Sequence, residues 1–161
     1  EDIGRILIWQ YAGFADDGQW IFYAQNGEGF AVTGRNKTLA DKRIIGNGIP
    51  RVQHSWNHSI AYKNWDAGVY MRSWLGYDVF NMVNMYYSLP NVRGQNGVRP
   101  AFEEHSDIVG EKELSDYWLE KGDFLEIDVI SLGYTGKKDW IKPLRNLRLY
   151  ASGSDLYVFT K

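Results

Sequence analysis

Between Arg51 and Trp74 the chain changes character at every second residue, and few folds accept that pattern. Val52, Trp56, Ile60 and Tyr62 share one parity, while Gln53, Ser55, Asn57, Ser59 and Ala61 take the other. After Lys63-Asn64, residues Ala67, Val69 and Met71 oppose Gly68, Tyr70 and Arg72. Successive side chains of a strand point to opposite faces, so this stretch predicts two antiparallel strands, near 51–63 and 65–76, joined by a short turn. One face is apolar and the other mixed polar. Strands of roughly ten residues with this character have the length that a tilted membrane-crossing strand needs. His54 and His58 fall on the apolar parity, which puts them near a membrane interface or at a bulge.

The flanking sequence extends the all-β expectation. Ile6 to Tyr11 is β-branched and aromatic, Asp16-Asp17-Gly18 supplies a turn, and Gln19 to Tyr23 returns, predicting a hairpin over 5–23. Asn26-Gly27 repeats the turn signal, and a polar stretch ends in the loop Ile45-Gly46-Asn47-Gly48-Ile49-Pro50. Residues 77–122 lack sustained alternation and carry Pro90 and Pro100, so they read as one long loop with a helical turn near Lys112 to Leu119. Structureless loops beyond about 15 residues are uncommon in compact soluble domains but normal on the outer side of a barrel. Near 123–135, Leu125, Ile127 and Val129 alternate with Glu126 and Asp128. A turn over Tyr134 to Pro143 leads to a strand near 144–158, where Leu149 and Ala151 oppose Arg148, Tyr150 and Ser152. Neither an internal domain boundary nor a repeat beyond the hairpin period is visible.

Composition removes several classes. With 18 basic and 20 acidic residues the net charge is -2, so nothing points to nucleic acid. The chain has no cysteine, which excludes disulfide frameworks and thiolate metal sites. It has no run of 18 apolar residues, so a transmembrane helix is absent, a test that is silent about barrels. The aromatic content is 16%, with 7 Trp and 11 Tyr, residues that collect at membrane interfaces, carbohydrate sites and β cores. The start, Glu1-Asp2-Ile3-Gly4, is no signal peptide, as expected of a processed chain or an internal fragment.

Candidate chemistry is sparse. Glu126 and Asp128 share a strand face and could divide acid and base duties, but such pairs are frequent on solvated or salt-bridged faces. His54 and His58 are four apart, which on a strand is about 13 Å and too far for one metal. His105 with Glu103, Glu104 and Asp107 reads as acidic loop surface, and Gly46-Asn47-Gly48 lacks the Lys-Ser/Thr of a phosphate loop. No catalytic residue, metal or cofactor is therefore expected. Ligand contact falls on Tyr70, Arg72 and Trp74 of one strand's mixed face and on Tyr86 and Tyr87 beyond it, because aromatic faces stack on sugar rings. In the competing assignment Trp74 and Tyr77 belong to an aromatic girdle at the membrane boundary.

Ordered motifs across nearly the whole chain resemble SusC/RagA-like TonB-dependent outer-membrane transporters. They are Gly46-Asn47-Gly48-Ile49-Pro50, then Tyr62-Lys63-Asn64-Trp65-Asp66, then Gly76-Tyr77-Asp78 with Asn81. Glu120-Lys121-Gly122-Asp123-Phe124-Leu125, Leu132-Gly133-Tyr134-Thr135 and Leu147-Arg148-Leu149-Tyr150-Ala151-Ser152-Gly153 complete the set. The resemblance implies antiparallel strands from the C-terminal part of a 22-stranded transmembrane barrel with long extracellular loops. Residues 1–161 are then a partial barrel domain, expected to be a fragment because the family's plug domain and TonB box are missing. It also implies nutrient import, of glycan or oligopeptide, across a Gram-negative outer membrane, with TonB supplying energy and a SusD-like surface lipoprotein as lid. The alternative is a soluble β-sandwich that binds carbohydrate, which the same strands and aromatics would permit. Its apolar parity would need a second sheet to bury it.

Overall fold

The computed structural model describes residues 3–25, 29–31, 37–91, 94, 96–138, 141 and 147–160. In chain order its elements are β1 (Arg5–Trp9), β2 (Tyr11–Phe14), β3 (Trp20–Tyr23), β4 (Gly29–Ala31), β5 (Lys42–Asn47), β6 (Val52–Tyr62) and β7 (Trp65–Leu75). There follow β8 (Asp78–Phe80), α1 (Met82–Tyr87), β9 (Leu119–Lys121), β10 (Phe124–Thr135) and β11 (Arg148–Thr160), with single 3-10 turns at Leu39–Asp41, Arg99–Phe102 and Asp116–Trp118. The chain divides into two compact units: Glu1–Ile49 with Asp78–Lys121, and Pro50–Tyr77 with Gly122–Lys161.

The second unit is one antiparallel sheet in the order β11-β10-β7-β6. Its hairpin turns at Lys63-Asn64, where the sequence pattern places it, with Tyr62 opposite Trp65 and Lys63 in the left-handed region at φ 55°. Asn64 fastens the turn to β10: its carbonyl accepts from the Thr135 N–H at 2.8 Å, and its side-chain amide donates to the Thr135 carbonyl at 2.5 Å. Directly opposed residues share a face, so register decides which residues meet. Four successive rows of one face are Trp56–Met71–Ile127–Tyr157, His58–Val69–Ile130–Gly153, Ile60–Ala67–Leu132–Ala151 and Tyr62–Trp65–Tyr134–Leu149. The other face carries Ser55–Arg72–Glu126–Val158, Asn57–Tyr70–Val129–Ser154 and Ser59–Gly68–Ser131–Ser152.

A bulge lets all four strands keep this segregation. The register of β10 shifts between Ile127 and Val129 against both neighbours. Strict alternation would put Val129 with Leu125 and Ile127, but the extra residue Asp128 moves Val129 to the polar face, opposite Tyr70, and returns Ile130 to the apolar one. On β11 two residues, Asp155 and Leu156, stand against Asp128, with Asp155 at φ 51°.

The first unit corrects the sequence expectation in three places. Residues 5–23 are not one hairpin: β2 pairs with β3, whereas β1 pairs with β5. The expected loop 45–50 is therefore half strand, since Lys42–Asn47 is β5. The expected long loop 77–122 is folded: β8 pairs with β9, α1 and two 3-10 turns lie between them, and the stretch supplies four of the six buried residues that form a core among the described residues. That core joins Trp20 and Phe22 to Met85, Leu89, Ile108 and Trp118, with Tyr11, Phe14 and Tyr117 packed against it. Alternation cannot reveal such a stretch, because three-residue strands and isolated anchors carry no period. The expected helical turn near 112–119 is the 3-10 turn Asp116–Trp118. The Asn26-Gly27 turn, Pro143 and the expected strand's first residues, 144–146, lie outside the described residues.

The two tryptophans of this core meet their polar edges locally, whereas the buried Ser115 hydroxyl finds no hydrogen-bond partner among the described residues. The indole N–H groups of Trp20 and Trp118 donate to the carbonyls of Glu111 and Glu113 at 2.8 and 2.9 Å. Phe22 is fully buried at the centre. Phe22→Ala should lower the stability of this unit by about 3–5 kcal/mol, the usual cost of emptying a buried aromatic site. Limited proteolysis should then cut within 88–115 at a protease concentration that leaves the parent intact.

Candidate functional site

The polar face of the four-stranded sheet gathers three of the five residues singled out by sequence. Tyr70, Arg72 and Trp74 alternate along β7 and lie on one face, opposite Asn57, Ser55 and Gln53 of β6. Tyr86 and Tyr87 belong to the other unit, on α1, where both are part-exposed. That helix starts at Asn81, whose side chain accepts from the Asn84 N–H at 2.9 Å, an ordinary N-cap. The ammonium of Lys112 lies 4.3 Å from the centre of the Tyr86 ring.

Arg72 is committed within the sheet. Its Nη2 and Nε donate to one oxygen of Glu126 at 2.8 and 3.0 Å, and Nε lies 3.1 Å from Asp128 Oδ1. Glu126 and Asp128, which sequence reading weighed as an acid–base pair, are thus held by one guanidinium, as a salt-bridged face would have it. Asp155 is the residue that sequence reasoning missed. The paired bulges bring its carboxylate within 4.8 Å of those of Glu126 and Asp128, a juxtaposition that spacing along the chain cannot show.

Two further ionic arrangements are structural. On the same polar face, Arg148 Nη2 reaches Asp66 at 2.6 Å, and the Asp66 carboxylate lies where a side chain at Gly133 would sit, which explains the glycine there. In the first unit Asp78 accepts from the Asn47 N–H at 3.0 Å and pairs with Lys121 at 2.6 Å, joining β5 to β9. The Gly46-Asn47 and Gly76-Tyr77-Asp78 motifs therefore include joints of the scaffold. His105 is buried against the rings of Tyr117 and Trp118, with Nδ1 3.0 Å from the Ser88 carbonyl, away from any acidic surface cluster.

The aromatic margin lies elsewhere than expected. Tyr62, Trp65 and Tyr134 form one row on the apolar face at the Lys63-Asn64 end, with the Trp65 and Tyr134 rings 4.8 Å apart. Trp74 stands on the polar face instead, in the row Gln53–Trp74–Phe124–Thr160, so it is not part of an aromatic belt on the apolar side.

A sheet of 11- to 13-residue antiparallel strands, apolar on one face, polar on the other and edged by Tyr and Trp, defines a wall of a transmembrane β-barrel. No family model matches the chain. It is 26% identical over 167 aligned residues to the TonB-dependent receptor P3 of Formosa agariphila, an alignment that covers 92% of this chain and 15% of that protein. Among solved structures it resembles the RagAB peptide transporter, with a TM-score of 0.75 at 15% identity over 98% of this chain. The RagAB peptide importer in its open-open state gives a TM-score of 0.73 at 14% identity, and each of these matches spans 19% of the solved chain. Over nearly its whole length the chain is thus similar in sequence to a TonB-dependent receptor and in fold to the RagAB structures, and it spans about a seventh of the curated relative's length.

Two variants test the polar-face network. Arg72→Met should lower the urea midpoint of the intact barrel in lipid vesicles, because Glu126 and Asp128 then face each other unpaired. Adding Glu126→Gln should recover part of the loss. Two carboxylates of the first unit should respond to pH with opposite signs. Burial raises the Asp116 carboxyl above its ordinary 3.8, in spite of the hydrogen bond from the Tyr11 N–H. The Thr38 hydroxyl and N–H hold Asp41 below 3.8. The native state then binds the Asp116 proton more tightly than the unfolded chain does, so its favourable contribution is full below 3.8 and lost as pH rises through the raised value. The contribution of Asp41 is present above 3.8 and lost as pH falls through the lowered value. Thermal melts at pH 7 should therefore rank Asp116→Asn above the parent and Asp41→Asn below it, with both differences shrinking on acidification.

Proposed function

We propose that the protein is part of an outer-membrane importer, its apolar sheet face against lipid and its polar face toward the barrel lumen. The carrying observation is the predominantly apolar face, interrupted on β6 by His54 and His58: Trp56, Ile60, Tyr62, Trp65, Ile130, Leu132 and Leu149 are all well exposed while sharing one side of the sheet. Eleven residues at about 3.3 Å each, tilted by about 45°, span roughly 25 Å, the height of the apolar band of such barrels. Among the described residues of that unit no second sheet covers this face, which a β-sandwich requires. The soluble carbohydrate-binding alternative therefore lacks the contact that defines it.

Further parts of the reading rest on the kinship. The intact transporter carries glycan or oligopeptide nutrients, TonB energises it, and a surface lipoprotein of the SusD type closes it. The similarity to the RagAB importers, named for peptide import as a two-component assembly, supports a partner of this kind. Transport rather than catalysis fits the kinship with a receptor and with importers, and it fits the engagement of Glu126 and Asp128 with Arg72. Tyr86 and Tyr87 on α1 remain candidates for substrate contact, and Arg72 supports the polar face rather than a ligand.

Neighbouring residues near the middle of β10 separate lipid from lumen. Ile130→Arg should destabilise the barrel in vesicles by about 2–4 kcal/mol, whereas Ser131→Arg should change it by less than about 1 kcal/mol. The readout is the urea midpoint of the heat-modifiable band on cold gels. Equal effects from the two substitutions would remove the lipid-face assignment.

A further inference from the structure

We propose that Trp74 is a stacking platform for the ring of a neutral sugar on the polar face, an inference that rests on the import reading. A tryptophan in a barrel wall serves as packing, as an interface anchor on the lipid side, or as a surface presented to the lumen. Trp74 is 38% exposed, which is too much for packing. The register puts it on the face opposite the Tyr62–Trp65–Tyr134 row, so it does not anchor the interface.

Its surroundings fix the ring without capping it. Phe124 approaches with ring centroids 5.6 Å apart at 49°, and Tyr77 at 6.3 Å and 67°, both inclined to the indole plane rather than stacked on it. Just beyond, the Gly76 N–H donates to Asp123 Oδ1 at 2.7 Å and pins the strand end. Opposite Trp74 in the same row stands exposed Gln53, whose amide offers a donor and an acceptor. An aromatic plane with an amide beside it matches a pyranose, whose C–H face stacks while its hydroxyls hydrogen-bond at the rim.

The neighbouring charges argue for a neutral ring. One row along, Glu126 and Asp128 engage Arg72, and Asp155 stands within 4.8 Å of both carboxylates. With Asp123 and Arg51 both beside Gly76, four carboxylates stand near two guanidiniums, a negative balance that opposes a uronate or sulfated sugar.

The test uses the intact transporter that contains this segment, purified in detergent, on an array of neutral glycans, anionic glycans and random peptides. The expected result is binding to at least one neutral glycan, weakened about tenfold by Trp74→Ala and less than about threefold by Trp74→Phe. Trp65→Ala, on the opposite face, should leave the affinity unchanged. Equal binding by parent and Trp74→Ala overturns the platform, as does binding only to anionic glycans or peptides, or to nothing on the array. In those cases outer-membrane insertion and TonB-dependent growth of the parent show whether the import reading stands. If the parent does not insert, both inferences fall.

Discussion

Cross-strand register is the constraint on which the second unit depends. Side chains alternate with a period of two, so sliding any one strand by a single residue would carry its aliphatic set to the polar side. In this sheet such a slip on β10 would bring Leu132 beside Gly68 and the Glu126 carboxylate among Met71 and Leu125's neighbours. Several features hold the register. The Lys63-Asn64 turn fixes β6 against β7, and the Asn64 bonds to Thr135 fix the hairpin against β10. At mid-strand the Arg72 link to Glu126 joins β7 to β10 across the polar face, and Arg148 reaches over Gly133 to Asp66 and ties β11 to β7. The ionic pairs thus matter less as isolated energies, which are small when exposed, than as markers of one alignment among several.

The bulge at Asp128 shows how that alignment survives an extra residue. Without compensation, every β10 residue beyond it would change sides, and Ile130 and Leu132 would join the polar face. The strand absorbs the insertion locally, and β11 answers with Asp155 in the left-handed region, so that both faces resume their character. The same event concentrates carboxylates: Asp128 and Asp155 stand together with Glu126 because the backbone is irregular there. Arg72 sits where it can answer two of them.

Legibility followed the physics of periodicity. The pair β6–β7, its turn and its two faces could be read directly, because eleven-residue strands repeat the alternation often enough to be unmistakable, and the shared face of Tyr70, Arg72 and Trp74 came with them. The side to which Val129 belongs, and the presence of Asp155 beside Asp128, could not, since a bulge leaves no trace in composition. The first unit was the least legible. Its core joins Trp20 and Phe22 to Leu89, Ile108 and Trp118, residues separated by up to about a hundred positions and held by three-residue strands and single turns. Prolines and glycines in 88–115 signalled a loop, and locally they do make one. What they concealed was the set of apolar anchors in and around them, Leu89, Ile108 and Trp118, the last of which places its indole N–H on the Glu113 carbonyl.

The two units solve the problem of apolar side chains in opposite ways, and that contrast carries the functional reading. In the first, Trp20, Phe22, Leu89 and Trp118 are almost wholly withdrawn from the surface, as in any water-soluble core. In the second, residues of similar size such as Trp56, Ile60, Trp65 and Phe159 remain about half or more exposed, along strands whose other face is already polar. A water-soluble protein gains stability by hiding such a face, at about 25 cal/mol for each Å² removed from water. Leaving a whole sheet face uncovered forfeits that gain unless the surrounding medium is itself apolar. A bilayer meets that condition along the full length of four strands, and in a bilayer the opposite, polar face is the one left to meet water and charge.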